Sequence, residues 1–283
     1  MTQLDQFESV FKAAAKPVFR YQQPQWRRVL VVTDQDQAAS DQIVTRLRSF
    51  LGEVMPQAHW EVLGGPRLES VGALLQAVES QPLDLVCTYR NLHTQAWRWP
   101  YSLGDYVDVL VQHTEVPVLL IPHPLEAPEV PLPTNTDRVM AVTDHLTGDA
   151  WLVSVAASLT APGGILFLTH IEDEETFQRY LGVIEKIPEI DTDTARQAIA
   201  RQLLKEPADY IHSCRQGLQQ AGRPLQVESV VQMGRHLEQY RSLIRQHGAD
   251  LLVFPASREG MAAMHGRAYA LAVELRRVPL LLL

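Results

Sequence analysis

Arg258, His265 and Arg267 crowd a short stretch around Gly266, which opens the apolar run GRAYALAVEL (266–275) with helical spacing. Backbone amides at a helix N-terminus and guanidinium forks are groups that hold phosphate, so this stretch is a candidate anion site. The competing assignment is a solvated loop with ion pairs to Glu259 or Glu274. Two carboxylates stand at equivalent places: Asp34 closes VLVVTD (29–34) and Asp144 closes VMAVTD (139–144). A carboxylate where a strand turns into a helix caps free amides, and capping is the expectation at both. The acidic runs Glu172–Glu175 and Glu189–Asp193 could hold a divalent cation, but they read better as helix N-terminal charge and a solvated turn. The ten histidines lack the spacing of zinc ligands, of which a structural site needs about four. Gly-x-Ser-x-Gly, Walker A and Gly-x-Gly-x-x-Gly motifs are absent, and Gly163-Gly164 precedes an apolar run where a dinucleotide turn would follow one. Cys87 sits inside an apolar run and is expected to be packed. No catalytic residue and no metal site are assigned.

The elements that would position these residues occur twice in the same order. Short apolar runs begin at Val29 and Val139, as buried parallel strands do. Later come DLVCTY (84–89) and DLLVFP (250–255), each followed by a glycine-containing loop, a helix, Val-Pro and a last apolar strand. This is an internal repeat. Between them lies IPHPLEAPEVPLPTNTD (121–137), whose prolines exclude helix and central strand. The second copy adds strands at Ile165–His170 and Leu225–Val231, a helix at His236–His247, and a long helical stretch over about 174–221, predicted to break near Pro188 and Pro207. The first offers a helix at about Gln37–Phe50, a strand at His59–Leu63 and a helix near Leu68–Ser80. Strands separated by helices imply a parallel sheet. The fold class is therefore α/β, with two tandem Rossmann-like units, the first reduced to about four strands. The predicted divisions are an N-terminal helical segment (1–27, with Gln6–Lys16 helical), a truncated unit (28–122), a proline-rich linker (123–136) and a complete unit (137–283).

Composition bounds the function. Of 283 residues, 46% are hydrophobic and 20% charged, enough to bury a sizeable core. The net charge of −8 argues against nucleic acid as a partner. No apolar run approaches the roughly 18 residues that span a bilayer, so membrane insertion is not expected. The opening MTQLDQFESVFKAAAK has early acids and no apolar core, so a secretory signal is not expected. Two cysteines without metal-ligand spacing suit a reducing cytoplasm.

The repeated first strand ending in aspartate, the segments VLGGPRLESVGALLQAV (62–78) and VVQMGRHLEQYRSLIRQHGADLLVF (230–254), and the closing Gly-helix-Val-Pro-strand units (104–121 and 266–283) resemble the universal stress protein family in its tandem form. The resemblance covers about 28–122 and 137–283. It implies the adenine nucleotide alpha hydrolase-like version of the fold, a stress-response role, and final strands paired antiparallel across a two-fold axis. Nucleotide-binding members of the family carry Gly-x2-Gly-x9-Gly before a hydroxyl residue after the fourth strand, and neither half keeps it. Tyr89 and Leu92 replace the first two glycines in the first half, where Gly104 remains and Asp105 follows. Pro255 and Arg258 replace them in the second, where Gly266 is followed by Arg267. Trp97, Trp99 and Tyr101 add bulk where phosphates would run and are expected to cover the sheet end or an interface.

The expectation is a non-catalytic regulatory protein acting through domain pairing and an unknown protein partner, with self-association open and no cofactor. The alternative is an adenine-nucleotide (ATP or AMP) binding protein, a slow ATPase at most. Any nucleotide or anion is expected against Asp144, Gly234, Arg258, Gly266 and Arg267.

Overall fold

The computed structural model describes residues 17–99, 101–126, 130–143, 146–223, 225–256 and 266–283. The first half contributes β1 (Arg28–Val32), α1 (Gln37–Leu51), β2 (His59–Leu63), α2 (Val71–Glu79), β3 (Leu85–Tyr89), α3 (Asp105–His113) and β4 (Val118–Ile121). The second contributes β5 (Arg138–Thr143), α4 (Ala150–Leu159), β6 (Ile165–Asp173), α5 (Glu174–Ile184), α6 (Thr192–Gln220), β7 (Gln226–Gly234), α7 (His236–His247), β8 (Leu251–Phe254), α8 (Gly266–Glu274) and β9 (Leu280–Leu282). The chain is thus α/β, and among the described residues its strands form one nine-stranded sheet in the order β2-β1-β3-β4-β9-β8-β5-β6-β7. Every pairing is parallel except that of β4 with β9, where Val118 faces Leu282 and Leu120 faces Leu280. Four parallel strands lie on one side of this seam and five on the other, the latter in the sequential order 3-2-1-4-5.

Apolar run and strand coincide because β1, β3, β4, β8 and β9 are buried on both faces, which leaves no polar alternation to preserve. Fully burying a Leu or Val side chain contributes about 1.5–3 kcal/mol, and nearly every side chain at the seam is buried. The prolines flanking it cost little. Pro117 and Pro279 stand just before their strands, and their carbonyls accept from Val86 and Leu252 at 2.9 and 3.0 Å. One contact recurs in the two halves: Asp84 accepts from the amide of Arg28 at 2.9 Å, and Asp250 does the same for Arg138 at 2.9 Å.

Helix starts follow local chemistry. Asp36, Ser70, Asp149, Asp173 and Asp191 cap α1, α2, α4, α5 and α6 through their side chains. The two acidic runs therefore each supply a cap. The stretch around Pro188 interrupts the helix as expected, but Pro207 does not: α6 runs unbroken through it for 29 residues. Proline removes one helical hydrogen bond, and burial of Pro207, Tyr210, Ile211, Cys214 and Leu218 along this helix offsets that loss.

The predicted helix Gln6–Lys16 lies outside the described residues. Pro17–Arg27 form neither helix nor strand. They run as a strap across the second half: the Phe19 amide donates to Ser213 (2.9 Å), the Gln22 amide to Ser154 (3.0 Å) and the Trp26 indole to Ser158 (3.1 Å). Gly217 is needed there, since a Cβ would come within 2.6 Å of the Phe19 ring. In the linker, Pro124–Glu126 form a 3-10 turn.

Candidate functional site

From β1 the chain moves to β2 on one side and, after β2, to β3 on the other. Where strand order switches in this way, a crevice opens outside the carboxyl ends of the strands. In the first half that crevice is occupied by the protein's own side chains. Tyr89 closes β3, fully buried, and its hydroxyl donates to Asp34 Oδ1 at 2.5 Å. The Tyr89 hydroxyl oxygen also accepts from the Asp34 amide at 3.0 Å and sits 2.8 Å from Thr33 Oγ1. The second oxygen of Asp34 accepts from the His93 amide at 2.6 Å, and Gln35 donates to Oδ1 at 2.7 Å. Asp34 is therefore not the helix cap the sequence suggests. Asp36 takes that role, and Asp34 ties down the loop after β3. Burial disfavours its charge, but the donors from Tyr89, His93 and Gln35 outweigh this and hold the carboxyl below its ordinary range.

Aromatic rings cover the rest of the crevice. His123 stacks on Trp97 with centroids 4.6 Å apart and planes at 13°, and meets Tyr89 edge-on at 4.9 Å. Burial pushes the His123 imidazole down to about 4, with Asp34 pulling the other way, so it is neutral at physiological pH. Leu92 is buried, whereas Trp99 and Tyr101 are exposed. Gly104 keeps its glycine for a local reason: φ is 87°, and a Cβ would lie 2.8 Å from the Asn91 backbone. Asp105 occupies the first turn of α3, where its charge complements the helix dipole. Cys87 and Cys214 are buried free thiols, Cys214 pushed up to about 12 by burial and Cys87 higher still.

The same loop reaches across the seam. Arg90, 4% exposed, donates from Nε to the Ala272 carbonyl at 2.7 Å and from Nη2 to the Leu275 carbonyl at 3.2 Å. These are orphan carbonyls at the end of α8, where positive charge also complements the dipole. Arg276 returns a bond to the Trp97 carbonyl at 2.8 Å. Tyr269 on α8 pairs with Asp108 on α3, whose carboxyl is raised by burial and by Asp105. Sequence reasoning missed Arg90 and Arg276. For Arg90 the available signal was an arginine directly after a mostly apolar strand, where burial demands partners.

In the second half, Asp144 and Arg258 lie outside the described residues. Gly266 and Arg267 open α8. Gly234 ends β7, beside the Gln239 side chain at the start of α7. Glu274 is engaged by Arg241. Among the described residues of this half, four buried side-chain atoms have no hydrogen-bond partner: Thr169 Oγ1 and His170 Nδ1 on β6, Tyr210 Oη on α6 and Gln232 Nε2 on β7. Thr169 and Gln232 share one face of the sheet. Register pairs Thr169 with Val230 and Ile171 with Gln232. Thr169 Oγ1 and Gln232 Nε2 thus lie on the sheet face of Phe167, whose ring meets His247 of α7 at 4.6 Å.

No family model matches the sequence, and no curated protein is similar to it. In structure the chain is similar to a functionally unknown protein from Pseudomonas aeruginosa PAO1, with 16% identity, a TM-score of 0.50, and 91% of this chain and 92% of that one covered. It is also similar to a universal stress protein from Archaeoglobus fulgidus DSM 4304, with 13% identity, a TM-score of 0.48, and 91% and 98% covered. The first likeness places the chain in the same class, a Rossmann-like α/β fold with a mostly parallel sheet. Among the described residues no helix is long and apolar enough to cross a membrane.

Proposed function

We propose that this chain is a cytoplasmic, non-catalytic regulatory protein of the universal stress protein type, with units at 28–122 and 137–283 paired through β4 and β9 and acting on a protein partner. One observation carries the reading. The crevice where this fold takes a ligand is closed in the first half by Tyr89, Asp34, His93, Trp97 and His123, and the loop over it is spent on clamping the two halves through Arg90. A nucleotide there would have to displace three donors from Asp34 and set its own charge beside that carboxylate.

A second reading rests on a different observation. Among the described residues Thr169 Oγ1 and Gln232 Nε2 are buried without a hydrogen-bond partner, and an adenine nucleotide bound in the second half, with Asp144, Gly234, Arg258, Gly266 and Arg267 around it, would fit a divergent pocket. Thermal denaturation with millimolar ATP or AMP separates the two. A ligand at 100 times its Kd raises stability by about 2.7 kcal/mol. The regulatory reading expects no shift; a shift abolished by Arg258→Ala/Arg267→Ala would establish the second.

A further inference from the structure

Helix α4 keeps almost no solvent face. Every residue from Leu152 to Leu159 is buried, whereas a helix lying on a sheet ordinarily turns a polar side to water. The strap at 17–27 covers that side. Its Phe19 and Gln22 amides and its Trp26 indole donate to Ser213, Ser154 and Ser158. Phe19 and Pro24 are buried and Tyr21 and Trp26 half-buried, while Val18, Arg20, Gln22, Gln23 and Gln25 are exposed. The Phe19 ring meets Tyr210 edge-on at 6.5 Å, and the Arg223 guanidinium lies 6.0 Å from the Tyr21 ring. Main-chain amides held by fixed acceptors, with seats for some side chains and water for the rest, are how a groove takes an extended peptide.

The two halves treat their entering segments alike. The strap leads into β1 of the first half but lies on α4 of the second. The linker leads into β5 of the second half, and its Val130 and Leu132 line a small cavity with Ile43 and Arg46 of α1 in the first. Each half's first helix thus meets the segment that enters the other. The linker is held at both ends, by β4 and β5. Among the described residues the strap is held at one, where Asp84 accepts from the amides of Arg27 and Arg28 at 2.7 and 2.9 Å. The strap can therefore lift with every strand in place.

We propose that the groove between α4 and α6 is a recognition site for an extended aromatic segment of a partner protein, and that residues 17–27 are an in-chain ligand that keeps it shut. A second copy of this chain suits the groove less well. Its own strap already has an equal seat, so exchange would add no contact and would cost the freedom of two molecules. A segment from another protein gives up no such seat. This rests on the partner-binding reading and names its surface. A thermal shift with ATP would overturn that reading and leave the groove standing, while failure of the peptide test would leave the closed crevice as it is.

The probe is an isotope-labelled synthetic peptide of residues 17–27, PVFRYQQPQWR, added to the full chain. The seated strap competes from within at an effective concentration of about 1 mM, so peptide near that concentration should displace half of it. Deuterium uptake across 17–27 of the chain should rise accordingly, and a peptide with Phe, Tyr and Trp replaced by Ser should leave it unchanged. Phe19→Ser/Trp26→Ser weakens the in-chain ligand and should tighten binding of the peptide, read by fluorescence anisotropy, about tenfold or more. Adding Gly217→Ala puts a Cβ 2.6 Å from where the Phe19 ring sits and should reverse that gain about tenfold. If the serine variant does not fold, exchange in the unmodified chain decides alone. Unchanged uptake at about 5 mM peptide, equal uptake with the serine peptide, or equal affinity in parent and strap variant would overturn the proposal. So would sedimentation of the parent showing a dimer that Phe19→Ser/Trp26→Ser dissociates, which would assign the groove to a second copy.

Discussion

Replacing Arg90 with Met removes the guanidinium and keeps most of the side-chain volume. Two hydrogen bonds from a charged donor are lost, at 2.7 and 3.2 Å, each worth about 1.5–3 kcal/mol. The Ala272 and Leu275 carbonyls then stand unpaired at the end of α8 unless water reaches them. Against this, an ion no longer needs to be desolvated, which returns several kcal/mol of the gross loss. The net expectation is a destabilisation of about 2–4 kcal/mol. At about 2–4 °C per kcal/mol for a chain of this size, the thermal midpoint should fall by roughly 5–15 °C. Arg90→Lys offers one point donor in place of a fork and should land between parent and Met. Calorimetry and urea denaturation read both. Because the bonds run from the first half to α8, a second transition should separate from the first in Arg90→Met if the halves uncouple. A Met variant within about 0.5 kcal/mol of the parent would show that Arg90 is not a clamp.

Asp34 has a folded carboxyl below its ordinary range, so it contributes stability that is present above about pH 4 and lost as pH falls through the lowered folded value. Tyr89→Phe removes a donor to it, and the acid limb of stability should move to higher pH in melts recorded between about pH 2.5 and 5; coincident limbs would refute the assignment. Gly104→Ala forces a side chain onto φ 87° and into the Asn91 backbone, and a loss of about 1–3 kcal/mol is expected in chemical denaturation. An unchanged midpoint would mean the loop relaxes freely. Deleting residues 279–283 removes β9 and exposes the apolar edge of β4, so aggregation or unfolding should appear in sedimentation; a soluble, folded truncation would contradict the pairing.

The sheet was legible because its signal is local. Runs such as VLVV and LLVF are too apolar to be anything but doubly buried strand, and the repeated order around them implied the strand sequence in each half. The seam between β4 and β9 came from resemblance, with the edge argument in support. The closed crevice was not legible, because what closes it is distant in sequence: Asp34 meets Tyr89 and His93 at separations of 55 and 59 residues, and Arg90 finds its carbonyl 182 residues away. From the sequence, Asp34 looked like a cap, since the rule for caps sees only neighbouring residues, and Asp36 two positions on satisfied the same rule. Pro207 misled for the same reason: the helix-breaking rule counts one lost bond, whereas the chain counts a whole buried face.

The antiparallel seam has a consequence in time. A ribosome making about 5–20 residues per second completes β4 and reaches β9 roughly 160 residues later. For something like ten to thirty seconds the first half therefore holds a finished strand with one open edge and no partner. The middle of the finished sheet is the last part to close, and everything made in between folds while that edge waits. Pairing of two nascent chains through β4 is the hazard of this order of synthesis, and slower translation of the second half lengthens the exposure.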